Sequence, residues 1–357
     1  MREDRLALRC LGVGSLAINL SLLAIVGVRR GNDTVRYMAS ASDLLAGRPF
    51  RAQNGWIYFG YNSLLAVSSA AGAGELGVIV FQFLAAVCAT LALYDLGRQL
   101  GGRLAGVLAA AFFIIDYDIA RWHLYLLTDS LYISLVPIAA WAVHRAAERG
   151  GGAYVLAGTV LGFTALIRPN GWLLIPIAVV YWIARSPFSG RAKLAVGAGV
   201  VLLCVGGAAT FAAMQFGGAK TGAATAHDGS QPLPFAQVMT LRERLNPTQM
   251  PLRVFKELTH VQPTFSRRHV VMVFAMLAVV YPLAVIGLVR SREQPLARLL
   301  AAIVAGHLAI VAITFSDHDG RYLLYFFSLL LVYAASAAVS VRRKGAALTL
   351  ESASGSR

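Results

Sequence analysis

Carboxylates and arginines gather in a few short polar segments set between long apolar runs. Asp116-Tyr117-Asp118 is a D-x-D pair. In an extended segment its two carboxylates reach the same side, whereas on a helix they diverge. Such a pair can offer hard oxygens to Mg²⁺ or Mn²⁺, or it can be a solvated polar turn. Thr128-Asp129-Ser130 places a carboxylate at the start of an apolar run. An ionisable group there is costly unless it faces a polar cavity. Arg168-Pro169-Asn170 and Asp317-His318-Asp319-Gly320-Arg321-Tyr322 bring guanidinium groups to the ends of apolar runs. A guanidinium forks two bonds onto phosphate oxygens. It can also simply snorkel toward headgroups. Asp33 precedes Val35, Met38, Ser42 and Leu45, which recur at helical spacing until Gly47 and Pro49 stop the run. Asp33 is therefore either the N-cap of a surface helix or a group with a chemical task. The two roles are compatible.

The elements that position these residues are apolar. Of 357 residues, 57% are hydrophobic and 14% charged, where a soluble domain carries roughly 25% charged residues. Runs near 18 apolar residues indicate membrane helices, and no stretch shows barrel alternation. The reading is an all-α polytopic membrane protein with about ten transmembrane helices. The spans fall at 6–28, 75–96, 104–119, 126–143, 154–167, 172–184, 194–216, 270–289, 296–315 and 322–341. The segment 57–71 is apolar but short. The first run is too long for a signal peptide and ends in Arg29-Arg30, so it is expected to stay as a helix.

The formal charge is +15. Its basic residues lie in alternate short loops, at Arg98/Arg103, Arg145/Arg149, Arg185/Arg191/Lys193, Arg290/Arg292/Arg298 and Arg342/Arg343/Lys344. The positive-inside rule explains this pattern better than nucleic-acid binding does, and it places both termini in the cytoplasm. The long loops, 29–74 and 217–268, then face outward. Each carries an amphipathic interfacial helix, the second at 251–260 with Leu252, Phe255 and Leu258 on one side and Arg253, Lys256 and Glu257 on the other. Residues 1–341 form a single membrane domain, and 342–357 a basic cytoplasmic tail without fixed structure. Cys10, Cys88 and Cys204 lie in apolar runs and read as buried small hydrophobes. His307 reads as a satisfied packing residue, and Asp95 with Arg98 as a local ion pair.

Taken in order, these pieces resemble the GT-C superfamily of membrane glycosyltransferases, in particular its protein-mannosyltransferase-like members. The resemblance rests on Asp33 with Arg36-Tyr37 and Leu44-Leu45-Ala46-Gly47-Arg48-Pro49. It continues through Tyr58-Phe59-Gly60-Tyr61-Asn62-Ser63-Leu64-Leu65, Thr128-Asp129, Leu166-Ile167-Arg168-Pro169 and Gly320-Arg321-Tyr322. It implies that Asp33 is the catalytic base and that sugar moves, with inversion, from a polyprenyl-phosphate carrier to a hydroxyl of a glycan, lipid or protein. Phosphate leaves without a general acid but needs cationic stabilisation. Arg168 and Arg321, with Arg36 in reserve, are the expected groups, and Asp129, Tyr37, Tyr61 and His318 are expected to bind substrate. No cofactor is required. Oligosaccharyltransferase-like members hold a metal with a loop D-x-D, so Mg²⁺ or Mn²⁺ at Asp116 and Asp118 is the alternative. The Ala-, Gly- and Arg-rich composition suggests a bacterium, so the expected location is the outer face of a bacterial inner membrane. Two departures stand out: one acid in the first loop where other members carry an adjacent pair, and no sizeable C-terminal soluble domain. A transporter or flippase of a lipid-linked glycan is the second reading. It would favour internal repeats and broken helices meeting at mid-membrane, and the sequence shows no clear repeat. A non-catalytic scaffold leaves the clustered acids and arginines unexplained.

Overall fold

The computed structural model describes residues 2–50, 55–185, 246–259, 267–314 and 322–354. The expected span at 194–216, Cys204, His318, Arg321 and most of the second long loop lie outside them. Among the described residues every regular element is helical. In order they are α1 (Arg2–Val26), α2 (Thr34–Leu45), α3 (Phe59–Ala70), α4 (Gly74–Gly101), α5 (Arg103–Ile115), α6 (Tyr117–Trp122), α7 (Thr128–Arg149), α8 (Gly152–Ile167) and α9 (Leu174–Arg185). Then follow α10 (Gln249–Thr259), α11 (Arg267–Ser291), α12 (Pro295–Thr314) and α13 (Leu324–Ser354). Short 3₁₀ turns at Gly55–Tyr58 and Pro169–Leu173 precede α3 and α9.

This is a helical membrane protein, but the expected ten spans are not all reached. Among the described residues, Glu3–Val26, Gly74–Gly101, Pro295–Ile313 and Leu324–Val341 are long and apolar enough to cross a bilayer. Helices α5, α8 and α9 have 13, 16 and 12 residues, roughly 18–24 Å at 1.5 Å per residue, against a hydrocarbon core of about 30 Å. Helix α7 has the length, with 22 residues, but carries Asp129, Ser130, Ser134, His144 and Arg145. The span expected at 104–119 breaks at Asp116, which separates α5 from α6. The final helix continues through the basic stretch after 341 to Ser354.

Helix α13 lies at the centre, packed on α4, α5, α7 and α11; 72% of its apolar window is buried, against 17% for α1. Helix α1 is thus peripheral and turns most of its apolar surface outward. Cys10 and Cys88 are free and exposed rather than buried, on helix faces that lipid can cover. Helices α4 and α5 pack very closely because glycines meet there. A methyl group on Gly97 would stand 2.9 Å from Gly106 Cα and 3.0 Å from the Ala105 carbonyl oxygen. Backbone cannot move aside as a side chain can. Gly97→Val is therefore expected to destabilise the protein by about 1–3 kcal/mol, read as a fall in the detergent-solubilised unfolding midpoint; an unchanged midpoint would mean the helices separate freely.

The bundle has two distinct ends. At one, Arg103 pairs with Glu3, Tyr94 donates to Asp4 at 2.6 Å, and Asp95 accepts from Arg98 at 2.8 Å, from Trp141 at 2.9 Å and from Arg145. The basic loops therefore meet the start of α1. At the other end, Arg29 lies beside Tyr125, its N–H reaching the Leu124 carbonyl at 2.9 Å and its carbonyl accepting from Leu126 at 2.9 Å. This end carries Asp33, Asp129 and Arg168.

Both amphipathic helices form, with the apolar stripe of α2 and two of the three apolar residues of α10 outward; Leu258 packs against the core. In α2, Thr34, Tyr37, Ser40 and Ala41 are buried while Val35, Met38 and Leu45 are exposed. In α10, Leu252 and Phe255 are exposed, and Arg253 is buried with its Nη1 donating to the Ala312 carbonyl at 2.8 Å. The expected polar side of α10 thus contributes an arginine to the protein contact. An apolar stripe turned away from the protein suits a helix lying on a bilayer.

Candidate active site

The first loop is pinned to the segment ahead of α7. Thr34 Oγ1 donates to the Leu126 carbonyl at 2.9 Å and accepts from the Gly31 N–H at 2.9 Å. The Gln82 amide, from α4, donates to the His123 and Tyr125 carbonyls at 2.9 and 3.1 Å. These bonds satisfy backbone groups that have no ladder partner, and they set α2 against the start of α7. Sequence reading gave Thr34 and Gln82 no role, since a lone polar residue beside an apolar run carries no spacing signal.

Asp33 stands at the N-cap position of α2, yet its side chain makes no capping hydrogen bond. Its Oδ1 lies 3.2 Å from Arg36 Nη2, and both side chains are about one-third exposed. The helical spacing of three brings them together. Arg36 in turn lies over the rings of Tyr37 and Tyr58, 5.3 Å from each centroid. Such contacts hold a guanidinium without neutralising it. The carboxylate is therefore oriented by an arginine and left open to solvent.

Behind this pair is a buried network. Tyr37 is buried, with its hydroxyl 3.3 Å from Thr128 Oγ1. Arg168 Nη1 donates to Thr128 Oγ1 at 2.8 Å and meets Asp129 Oδ2 at 2.7 Å. Asp129 Oδ1 also accepts from the Tyr325 hydroxyl. Arg168 lies over the rings of Tyr322 and Tyr325, at 5.3 and 5.0 Å. Asp129 is fully buried and Arg168 nearly so. A buried charge without a partner would cost several kcal/mol, so each of the two makes the other tenable.

Local sequence explains the placement of Arg168. Pro169 lacks an N–H and disfavours helix at the preceding residue. Arg168 accordingly adopts extended backbone, φ −152° and ψ 138°, which ends α8 and turns its side chain across to α7. Gly60 of α3 brings Tyr58 and Tyr61 up to this corner: a methyl group there would stand 3.0 Å from the Leu166 carbonyl carbon. Asp129 lies in the first turn of α7, where a negative charge meets the positive end of the helix dipole.

The structure therefore brings together Asp33, Arg36, Tyr37, Asp129 and Arg168 among the residues singled out from sequence. It also sharpens their parts. Asp129, Tyr37 and Tyr61 were expected to touch substrate, but they are buried here. Tyr61 is committed to Gln82, its hydroxyl donating at 3.2 Å. They form the wall behind Asp33. The contribution of Tyr325 was missed. Its one signal was the spacing of three from Tyr322, which the structure places in the turn ahead of α13. His307 is satisfied as expected: Nδ1 donates to the Ile303 carbonyl at 2.8 Å, leaving Nε2 to accept from Tyr132 at 2.9 Å.

Asp116 takes a different part from the one a metal would give it. It caps α6, its Oδ1 accepting from the Asp118 and Ile119 N–H groups at 3.0 and 3.1 Å. Both acids are buried, and among the described residues no group of three His, Cys, Asp or Glu is placed to hold an ion. Burial pushes the Asp116 carboxyl up to about 6, against the two backbone N–H bonds that favour its charged form. A folded-state value raised above the unfolded one means the stability Asp116 contributes is complete below about pH 4 and is lost as pH rises through about 6. Asparagine caps as well as aspartate and carries no charge. Asp116→Asn is thus expected to match wild type near pH 4 and to gain stability over it by pH 7. Parallel thermal-unfolding curves across that range check this; a constant difference would contradict the burial cost.

Two comparisons bear on this site. Residues 60–208 match the family model described as dolichyl-phosphate-mannose-protein mannosyltransferase. No curated protein matches the chain. The matched segment contains Asp129 and Arg168 and begins after Asp33. It supports the resemblance to GT-C glycosyltransferases.

Proposed function

We propose that the chain is an inverting membrane glycosyltransferase that moves a sugar from a polyprenyl-phosphate carrier to an acceptor hydroxyl. The observation that carries this reading is the Asp33 carboxylate: uncapped, partly exposed and held 3.2 Å from Arg36 in front of the buried Asp129–Arg168 pair. The family match over residues 60–208 supports a sugar donor on a lipid phosphate.

Asp33 takes the proton of the acceptor hydroxyl as its oxygen attacks the anomeric carbon. The bond from that carbon to the phosphate oxygen breaks, and polyprenyl phosphate leaves. One displacement inverts the sugar carbon. Arg36 and Arg321 are assigned to the negative charge that grows on the departing phosphate. Arg168 shares its charge with Asp129, so it acts as the anchor that fixes the wall of the site. His318 is assigned to the same face. Asp116 and Asp118 are assigned a structural part, and the reaction as written requires no metal ion. On the positive-inside rule the basic end of the bundle and both termini are assigned to the cytoplasm and the Asp33 end to the outer face; the membrane is assigned as a bacterial inner membrane.

The test is transfer itself. Purified protein in detergent is given polyprenyl-phosphate sugars carrying a radiolabel, with lipid, glycan and peptide acceptors. Release of polyprenyl phosphate together with label in an acceptor is expected. Movement of intact lipid-linked sugar across proteoliposomes without release would favour a flippase.

A further inference from the structure

At the basic end of the bundle, far along the helices from Asp33, a cavity of about 290 Å³ lies where several helices end. Its walls are the α4–α5 turn at Gly101 and Gly102, the last turn of α11 with Arg290 and Ser291, Gln294, and α13 at Ser336 and Ser340. Among the described residues no carboxylate lines it, and Arg290 is the one charged residue of its wall. Arg290 Nη1 donates to Ser340 Oγ at 2.5 Å, which holds the guanidinium at the rim.

Several arginines of this end are neutralised. Arg98, Arg103, Arg145, Arg292 and Arg298 each lie within 4.0 Å of a carboxylate. Among the described residues Arg290 has no such partner. The sequence of α13 adds Arg342, Arg343 and Lys344 directly after this wall. An unneutralised cation beside a cavity lined with hydroxyl and amide groups selects for an anion with several acceptor oxygens. Basic pockets between membrane helices on the cytoplasmic side suit lipid head groups. The cavity sits at the ends of α4 and α11 and beside Ser336–Ser340 of α13, where the apolar span of that helix closes at Val341, and the end of a span is where bilayer phosphates are expected.

We propose that this cavity is a binding site for the phosphate of an anionic phospholipid, separate from the Asp33 site. An arginine that merely snorkels would meet headgroups without saturation and without help from neighbours. A site of this construction binds one lipid saturably and depends on Arg290.

Short-chain phosphatidylglycerol titrated into the purified full-length chain in neutral detergent tests this, with bound lipid counted by native mass spectrometry. Saturable binding of one lipid is expected. Arg290→Gln is expected to weaken it roughly tenfold, the worth of a charged hydrogen bond. Arg298→Gln removes a charge at the same end but outside the cavity, and is expected to change affinity by less than about twofold. Arg290 is exposed, so its replacement leaves the fold intact, checked by an unchanged lipid-free unfolding midpoint. Inorganic phosphate is expected not to displace the lipid. Equal effects of the two variants, or none from Arg290→Gln, would reduce the binding to general charge attraction and overturn the proposal. Displacement by inorganic phosphate would overturn the lipid assignment in favour of free phosphate. Neither outcome bears on sugar transfer.

Discussion

Asp129→Ala is expected to be the most destabilising single change at the candidate site, costing about 3–5 kcal/mol. The size follows from burial. Asp129 has no exposed surface, and its carboxylate accepts from Tyr325 and meets Arg168 at 2.7 Å. Alanine removes the charge and leaves the Arg168 guanidinium in the interior with, among the described residues, Thr128 and two aromatic faces. Aromatic rings offset part of that loss, about 0.5–2 kcal/mol each way of counting, but not the charge. Asp129→Asn keeps an acceptor for Tyr325 and is expected to cost less. Combining Asp129→Asn with Arg168→Gln leaves no stranded charge, so the double variant is expected to recover much of the loss of Asp129→Ala. Unfolding midpoints of the single and double variants in one detergent measure the coupling. Additive losses would mean that the two side chains act independently, against the geometry.

Much of this architecture could be read from sequence because its signals are local. Apolar runs gave α1, α4, α12 and α13, and the stop at Arg168-Pro169 gave the break between α8 and α9. The pairing of Asp95 with Arg98 followed from helical spacing. The partners of the polar side chains were less legible. By sequence the D-x-D at Asp116 stands between a metal pair and a polar turn, and Asp116 closes onto its own following N–H groups and starts α6. Helix α7 reads as a span with one ionisable group at its start, and its polar residues reach several helices: Asp129 accepts from Tyr325 of α13, Tyr132 lies 2.9 Å from His307 of α12, and His144 lies 2.7 Å from Gln99 of α4. Asp129 and Tyr325 are 196 positions apart, and no periodicity links residues at that separation. Hydropathy identified which faces of α2 and α10 are apolar, but not that the opposite face of α2, and Arg253 on the polar side of α10, make protein contacts.

Asp33 carries the catalytic claim, and its surroundings predict a loss of activity without a loss of fold. An N-cap aspartate that bonds its helix costs about 1 kcal/mol when removed. Asp33 makes no such bond. Its partner Arg36 remains supported by Tyr37 and Tyr58 when the carboxylate is gone. Asparagine keeps the shape and the polarity but cannot take a proton. A general base contributes typically 10²–10⁴ in rate, so turnover is expected to fall by about that factor, with substrate binding largely kept. The deciding measurement is the single-turnover rate of sugar release from a radiolabelled polyprenyl-phosphate donor, wild type against Asp33→Asn, in preparations with matched unfolding midpoints. The account predicts a fall of about 10²–10⁴-fold at an unchanged midpoint; equal rates in the two proteins would contradict it.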